Sequence, residues 1–256
     1  MRLYMRKISW GLFISFLILV FLWRCVFSGR EVSILMYHSI SSKGCNICVS
    51  NKKFLQQMKF IKKGRYNVLS LREYCSLLKE KRGIPSRSVV ITFDDGYRDN
   101  LKAVKILERF NFPATIFLIV NRIDKEGYLT QEDIKEILKN TKVEIGSHTF
   151  SHKYLPSLGR KELEKEIRLS KERLEELFGV KIDTISYPVG GFNKEVLKIV
   201  KEAGYICGCT TNRGFSKKLN RFALRRIKIT QKDTPFTLWA KLSGLYYFFK
   251  KIKSPY

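Results

Sequence analysis

The sequence predicts an α/β fold, an irregular (β/α) barrel of parallel strands, preceded by one N-terminal transmembrane helix. Three observations predict the barrel. From residue 31 onward, short β-branched runs alternate with segments whose apolar residues recur every three or four places, the pattern of a parallel sheet with helical crossovers. Eight such strand signals fit into one barrel-sized stretch. No GxGxxG or other phosphate-cradling loop follows the first strand, which turns the choice away from an open dinucleotide-binding sheet.

The N-terminal helix rests on ISWGLFISFLILVFLW, residues 8–23, which carries no charge. Extending it to Phe27 admits only Arg24, close enough to the end for its guanidinium to reach the headgroups. A cleaved secretory signal peptide is the rival reading, with Val26-Phe27-Ser28 as a poor cleavage site, and the long aromatic run favours an uncleaved anchor. Arg2, Arg6 and Lys7 precede the run while Arg24 and Arg30 follow it. The positive-inside rule therefore gives only weak support for a cytoplasmic N-terminus and an extracytoplasmic domain. On this reading residues 1–30 are a basic stub and anchor, and residues 31–256 form the barrel domain.

Within that domain the strand signals are 32–37 (VSILMY), 66–69, 88–93 (SVVITF), 114–120 (ATIFLIV), 142–146, 182–187, 205–209 and 223–229. Between them lie apolar stripes at helical spacing: Phe54, Met58 and Ile61, then Leu101, Val104 and Leu107, then Ile134 and Leu138, and finally Leu163, Ile167, Leu174 and Leu177. Thr130 followed by Asp133 reads as a helix start, and Gly179 follows the end of the long charged helix. Of the six cysteines, Cys45 and Cys48 form CNIC and Cys207 and Cys209 form CGC, spacings open to zinc, redox or disulfide use. With no second CxxC, a structural disulfide or plain thiols are favoured at CNIC, and Cys75, on an apolar helix face, reads as core. Residues 235–253 (PFTLWAKLSGLYYFFKKIK) read first as a last barrel helix and second as a helix lying on the membrane.

Composition bounds the function. A chain of 256 residues with 45% hydrophobic content can bury a sizeable core, which excludes disorder as its main state. Forty-nine Lys and Arg against 23 Asp and Glu leave a net charge of +26, a field that favours anionic partners. The excess collects toward the ends, where residues 193–256 hold 15 basic side chains against Glu195, Glu202 and Asp233. Basic ends beside an apolar anchor fit a membrane better than a duplex, and no nucleic-acid recognition motif is present.

In a barrel, catalytic groups sit at the C-terminal ends of strands, and all three histidines fall there. His38 ends the first strand (LMYH), His148 and His152 follow the strand TKVEIG as HTFSH, and Asp94 and Asp95 follow SVVITF as TFDDG. Two adjacent carboxylates after a buried strand are costly unless a cation or hydrogen bonds compensate. One carboxylate and two imidazoles make a ligand set for a divalent metal, zinc above all, that leaves positions open for water and substrate. Thr149 stands where the zinc-protease motif HExxH has its Glu, so the general base comes from elsewhere, and Asp94 is the neighbouring supplier. Singly, a DDG run is often a turn and a lone His a satisfied core residue. Their coincidence at three strand ends disfavours that reading for all of them.

TFDDG at 92–96 and HTFSH at 148–152, in that order and with a helix between them, resemble the first two motifs of the polysaccharide deacetylase family, the NodB homology or carbohydrate esterase family 4 enzymes. The resemblance runs from MYHSI at 36–40 through SYPVGGFN at 186–193 to ALRRIKI at 223–229. It implies a deformed TIM-like (β/α) barrel, the NodB homology fold, and a metal-dependent hydrolase that removes N-acetyl groups from an amino-sugar polysaccharide at the cell envelope. It implies that Asp95, His148 and His152 bind the divalent metal, that Asp94 is the general base, and that a backbone N–H of Tyr187 or Val189 holds the oxyanion. Two departures stand out: Ser186 and Tyr187 occupy the place where many members carry a base-orienting Arg before the proline, so that Arg is missing, and ALRRIKI lacks the usual late catalytic His. The MYHSI start resembles the branch containing poly-β-1,6-N-acetylglucosamine deacetylases, which makes His38 the implied general acid. The expected partners are thus an N-acetylated polysaccharide and, through the anchor, membrane lipid, with no nucleic acid. A catalytically silent barrel that only holds a glycan near the membrane is the competing reading.

Overall fold

The computed structural model describes residues 32–212 and 219–244. The expected anchor at 8–27 and the end of the aromatic C-terminal run lie outside these residues. Among the described residues no helix is long and apolar enough to cross a membrane.

Eight parallel strands form one sheet: β1 (Ser33–Tyr37), β2 (Asn67–Leu69), β3 (Ser88–Phe93), β4 (Ala114–Leu118), β5 (Val143–Ser147), β6 (Thr184–Ser186), β7 (Cys207–Cys209) and β8 (Ile227–Lys228). They lie in the order β7-β6-β5-β4-β3-β1-β8, with β2 beside the first half of β3. The segment between β7 and β8 folds back on β7: Gly208 N–H donates to Arg221, Leu224 N–H to Gly208, and Thr210 N–H to Leu224. The parallel α/β architecture is that expected, and the short β2, β6, β7 and β8 deform it. The apolar run at 114–120 ends as a strand at Leu118 because Val120–Arg122 turns into a 3₁₀ helix.

The crossovers are α1 (Asn51–Lys63), α2 (Leu71–Lys79), α3 (Asn100–Phe110), α4 (Gln131–Asn140), α5 (Arg160–Glu164), α6 (Ser170–Phe178) and α7 (Lys194–Glu202), and α8 (Pro235–Leu242) follows the last strand. Phe54, Met58 and Ile61 are fully buried on α1, and Val104 and Leu107 are buried on α3, as their spacing predicts. On α4 the buried stripe is Ile134 and Ile137, with Leu138 only partly covered. Thr130 and Asp133 form a reciprocal capping box at its start. Gly179 caps α6 at φ 64°, a left-handed conformation that suits glycine. Between α5 and α6 the chain makes one π-helical segment, Lys165–Leu169, where a single continuous helix was expected.

Cys45 and Cys48 form a disulfide, in line with the structural reading of CNIC. Cys75 is buried as expected, but it is not simply core. Its sulfur is bonded to Cys207 across 132 residues, tying α2 to β7, while Cys209 stays a buried thiol. Periodicity reports burial and carries no signal for a partner so distant in sequence. Closing so long a loop restricts the unfolded chain strongly. Replacing Cys75 and Cys207 together by Ala should lower the unfolding free energy by about 2 to 5 kcal/mol, read from the urea midpoint under non-reducing conditions. An unchanged midpoint would show that the bridge adds no stability.

Candidate metal centre

The C-terminal ends of β1, β3, β5 and β6 deliver the chemistry to one place. Asp94 continues β3, its N–H donating to Tyr37 O on β1 at 2.9 Å. Asp95 then takes φ 75° and Gly96 φ 72°, so the chain turns sharply and the second carboxylate swings over the strand ends. On β5, one strand further along across β4, His148 N–H donates to Leu118 O at 2.8 Å, and the loop beyond holds Thr149 at φ 66° and His152 at φ 64°. The HTFSH segment is thus a tight loop and not a helix. Left-handed backbone at non-glycine residues costs energy and collects at functional sites.

This turn brings Asp95, His148 and His152 together, with one ligand atom from each lying within 4.8 Å of the others. Asp95 Oδ1 stands 3.4 Å from His148 Nε2 and 3.5 Å from His152 Nε2. His148 Nδ1 lies 2.8 Å from the Ser186 carbonyl, an acceptor only, so Nδ1 carries the proton and Nε2 presents its lone pair to the cluster. Burial lowers the pKa of His152, with the neighbouring His148 acting in the same direction. At His148 burial also acts downward, but the Asp94 charge and the Asp95 hydrogen bond outweigh it and raise the pKa. A donor set of one carboxylate and two imidazoles with a fixed tautomer fits a divalent ion.

The first carboxylate is held quite differently. Asp94 is buried and receives a bidentate clamp from Arg226, Nη1 to Oδ1 and Nη2 to Oδ2 each at 2.6 Å. Burial alone would push the Asp94 pKa up; the Arg226 guanidinium, helped by His148 and His38, holds it well below the usual carboxylate range. An Arg bonded to Asp94, expected to be missing, is therefore present, supplied by ALRRIKI instead of the stretch before Pro188. Ser186 occupies the vacated position and takes part in the same network, accepting from Arg226 Nη2 at 2.8 Å. A basic residue inside an apolar run was the one available signal, and with Arg225 beside it the sequence did not say which of the two points inward.

His38 follows β1, whose last residue, Tyr37, accepts the Asp94 N–H. Burial lowers its pKa, the Asp94 and Asp95 carboxylates oppose that shift, and Arg226 and His148 add to it. Its Nδ1 is buried without a hydrogen-bond partner. Asn100 Nδ2 donates to the His38 carbonyl at 2.6 Å, while Asp99 accepts from Ser39 Oγ at 2.5 Å and from Ile40 N–H at 3.0 Å, so the backbone around His38 is pinned to the start of α3.

Of the two expected oxyanion donors, Tyr187 is corrected: its N–H donates to Cys209 O at 2.9 Å as part of the β6–β7 pairing, and its hydroxyl donates to Phe222 O. Val189 differs. It sits at φ 57° in the turn after β6 with its side chain 71% exposed. Gly190 makes that turn possible, because at φ 80° a Cβ there would lie 2.2 Å from Thr211 Oγ1. Thr210 and Thr211 hydroxyls clamp the turn through the Gly190 and Val189 carbonyls.

Sequence reasoning also missed Glu166. It lies on the π-helical segment and is buried, where its carboxylate accepts the N–H and the hydroxyl of Ser151 in the HTFSH loop. Its own carbonyl accepts from Phe150 N–H. A Glu in a charged helix reads as solvent-facing, and nothing in the sequence announces the extra residue per turn that rotates it inward.

The model of the polysaccharide deacetylase family matches residues 81–208. Over 202 residues the chain is 36% identical to the "putative polysaccharide deacetylase YxkH" of Bacillus subtilis (strain 168), covering 78% of this chain and 72% of that protein. It is 28% identical over 211 residues to the poly-beta-1,6-N-acetyl-D-glucosamine N-deacetylase of Staphylococcus aureus (strain MRSA252), covering 77% and 72%. Among solved structures, the Streptococcus pyogenes deacetylase PplD in complex with acetate superposes with a TM-score of 0.78 at 27% identity, covering 84% of this chain and 99% of that one.

If Glu166 holds the ligand loop, Glu166→Gln should weaken zinc binding about 10- to 100-fold, the range for partners that orient metal ligands. Competition with a fluorescent chelator measures it, and an unchanged affinity would reduce Glu166 to a helix contact.

Proposed function

This chain belongs to the polysaccharide deacetylase family, and on that premise we propose that it is a zinc-dependent hydrolase removing N-acetyl groups from an amino-sugar polysaccharide at the cell envelope. The observation that carries this reading is the convergence of Asp95, His148 and His152 beside a second carboxylate, Asp94, that Arg226 keeps ionised. Asp95, His148 and His152 would hold the ion, which when bound acidifies water and polarises an amide carbonyl. Asp94, unable to ligate while its oxygens face Arg226, takes the proton from the attacking water. The Val189 N–H, presented by the strained turn after β6, donates to the oxygen that gains charge. His38 protonates the departing amine, and its lowered pKa makes the charged ring a stronger acid.

The relatives support the substrate class. One is named for deacetylating a poly-β-1,6-linked N-acetylglucosamine polymer, and another was solved with acetate, the small product such a reaction leaves. Against a silent glycan-binding barrel stands the convergence of Asp95, His148 and His152, which a mere glycan-holding surface does not need. For location, we propose that the apolar run at 8–27 anchors the chain with the barrel outside the cytoplasm. Two disulfides fit an oxidising compartment, and the basic ends of the chain fit an anionic membrane surface.

The test is acetate release by the full chain from β-1,6-linked N-acetylglucosamine polymer, chitin oligomers and peptidoglycan, with and without added zinc. We expect zinc-dependent release from at least one of the three; none from any would contradict the reading. Asp95→Ala should lose both bound zinc and turnover. His38→Ala should keep the zinc and lose about 10²- to 10⁴-fold in turnover, the usual contribution of a positioned acid. Near-normal turnover in the His38 variant would assign the acid to water or another side chain.

A further inference from the structure

Among the described residues, α8 presents two aromatic side chains that stand exposed. Phe236 is 71% exposed and Trp239 39% exposed, one turn apart, with ring centroids 5.7 Å apart. The opposite face of the helix is fixed. Leu238 is buried, and Lys241, also buried, pairs with Asp233 at 2.6 Å and donates to the Lys228 carbonyl at 2.8 Å. The rings are therefore held outward on a rigid helix and do not belong to a loose end. Aromatic rings held in water are unfavourable relative to covered ones, and exposed apolar pairs of this kind suit an interaction surface.

The charge around them says what covers them. α8 packs beside α1, and Ser50 N–H at the head of α1 donates to Gln231 in the loop before α8 at 2.8 Å. From Val32 to Arg72 the chain has eight Lys and Arg and no Asp or Glu, and Lys52, Lys59, Lys62 and Lys63 of α1 are exposed. From Asn212 to Tyr256 the one acid is Asp233, which Lys241 neutralises. An outward Phe-Trp pair next to a helix whose own exposed charges are all lysine is the pattern of a protein face that lies on anionic lipid, the rings at the acyl boundary and the ammonium groups among phosphates. A deacetylated glycan carries ammonium groups and would be repelled by this face.

We propose that α8, with the exposed lysines of α1, docks the barrel onto an anionic bilayer surface. Both helices begin at the C-terminal ends of their strands, β1 and β8, the end of the barrel that carries the metal centre. The docking face therefore runs along the side of the barrel, from Lys52 and Phe236 in the first turns at the mouth to Lys59, Lys62 and Lys63 toward the opposite end. The inference rests on the membrane placement proposed above but names a second, separate contact.

The chain has three tryptophans, Trp10, Trp23 and Trp239. In the full chain carrying Trp10→Phe and Trp23→Phe, all indole emission comes from Trp239. This protein is reconstituted into vesicles with brominated acyl chains, of either phosphatidylglycerol or phosphatidylcholine, and floated on a density gradient. The docking surface predicts blue-shifted and quenched emission in phosphatidylglycerol, less quenching in phosphatidylcholine, and loss of that difference in Lys59→Gln/Lys62→Gln. Co-flotation with unshifted, unquenched emission in both lipids would overturn the docking surface while leaving the anchor standing. Failure to float in either lipid would instead remove the anchor. A blue shift on adding N-acetylglucosamine oligomers without vesicles would assign the pair to the glycan and overturn the inference.

Discussion

A single guanidinium in the interior of the barrel holds together what the rest of the structure builds. Arg226 is the largest fully buried side chain, and each of its five N–H donors has an acceptor: Nε to Thr210 O, Nη1 to Asp94 Oδ1 and Thr92 Oγ1, Nη2 to Asp94 Oδ2 and Ser186 Oγ. Those acceptors come from β3, β6 and the end of β7, and the Phe117 ring of β4 lies under the guanidinium. A buried charge is tolerated only when paired and hydrogen-bonded, so the ends of these strands stay in register with Arg226 or the molecule carries an unpaired ion. This constraint decides the chemistry too. Asp94 and Asp95 bring two negative charges and Arg226 returns one, leaving a negative balance at the His148 and His152 side of the centre that a divalent cation would offset.

The same division of labour appears in the backbone. Asp95, Thr149, His152 and Val189 all sit at positive φ, each within the turns that leave β3, β5 and β6. Strain of this kind persists only where the surroundings over-determine it. Glu166 holds the HTFSH loop from the π-helical segment, the Thr210 and Thr211 hydroxyls hold the turn around Val189, and Asp99 with Asn100 holds the chain around His38. The supporting groups lie on helices and strands that the core fixes, which leaves the loops themselves short.

What could be read from the sequence follows from the range of the interactions. The strand at 88–93 and the stripes on α1 and α3 are local patterns, and they stand where the periodicity put them, while the run expected at 114–120 gives up its last two residues to the turn into a 3₁₀ helix. The cluster of Asp95, His148 and His152 was legible because these residues follow the ends of β3 and β5, and parallel strands place their ends together. Arg226 was not, since its five acceptors come from positions as distant as Thr92 and Thr210 and only the assembled sheet brings them together. Glu166 was hidden by one inserted residue per turn, and the Cys75–Cys207 bridge by the length of chain between its halves. Tyr187 was misassigned because strand pairing to Cys209, invisible in SYPVGG, consumes its N–H.

The clamp on Asp94 is the claim on which both fold and chemistry turn, and a double-mutant cycle in urea unfolding addresses it without any substrate. Arg226→Met alone leaves a buried carboxylate unpaired and should destabilise the domain by about 3 to 5 kcal/mol. Adding Asp94→Asn removes that charge, and the double variant should regain most of the loss, giving a coupling energy well above the few tenths of a kcal/mol within which independent sites add. Additive losses in the double variant would contradict the account, because they would mean that Arg226 stabilises the barrel without holding Asp94.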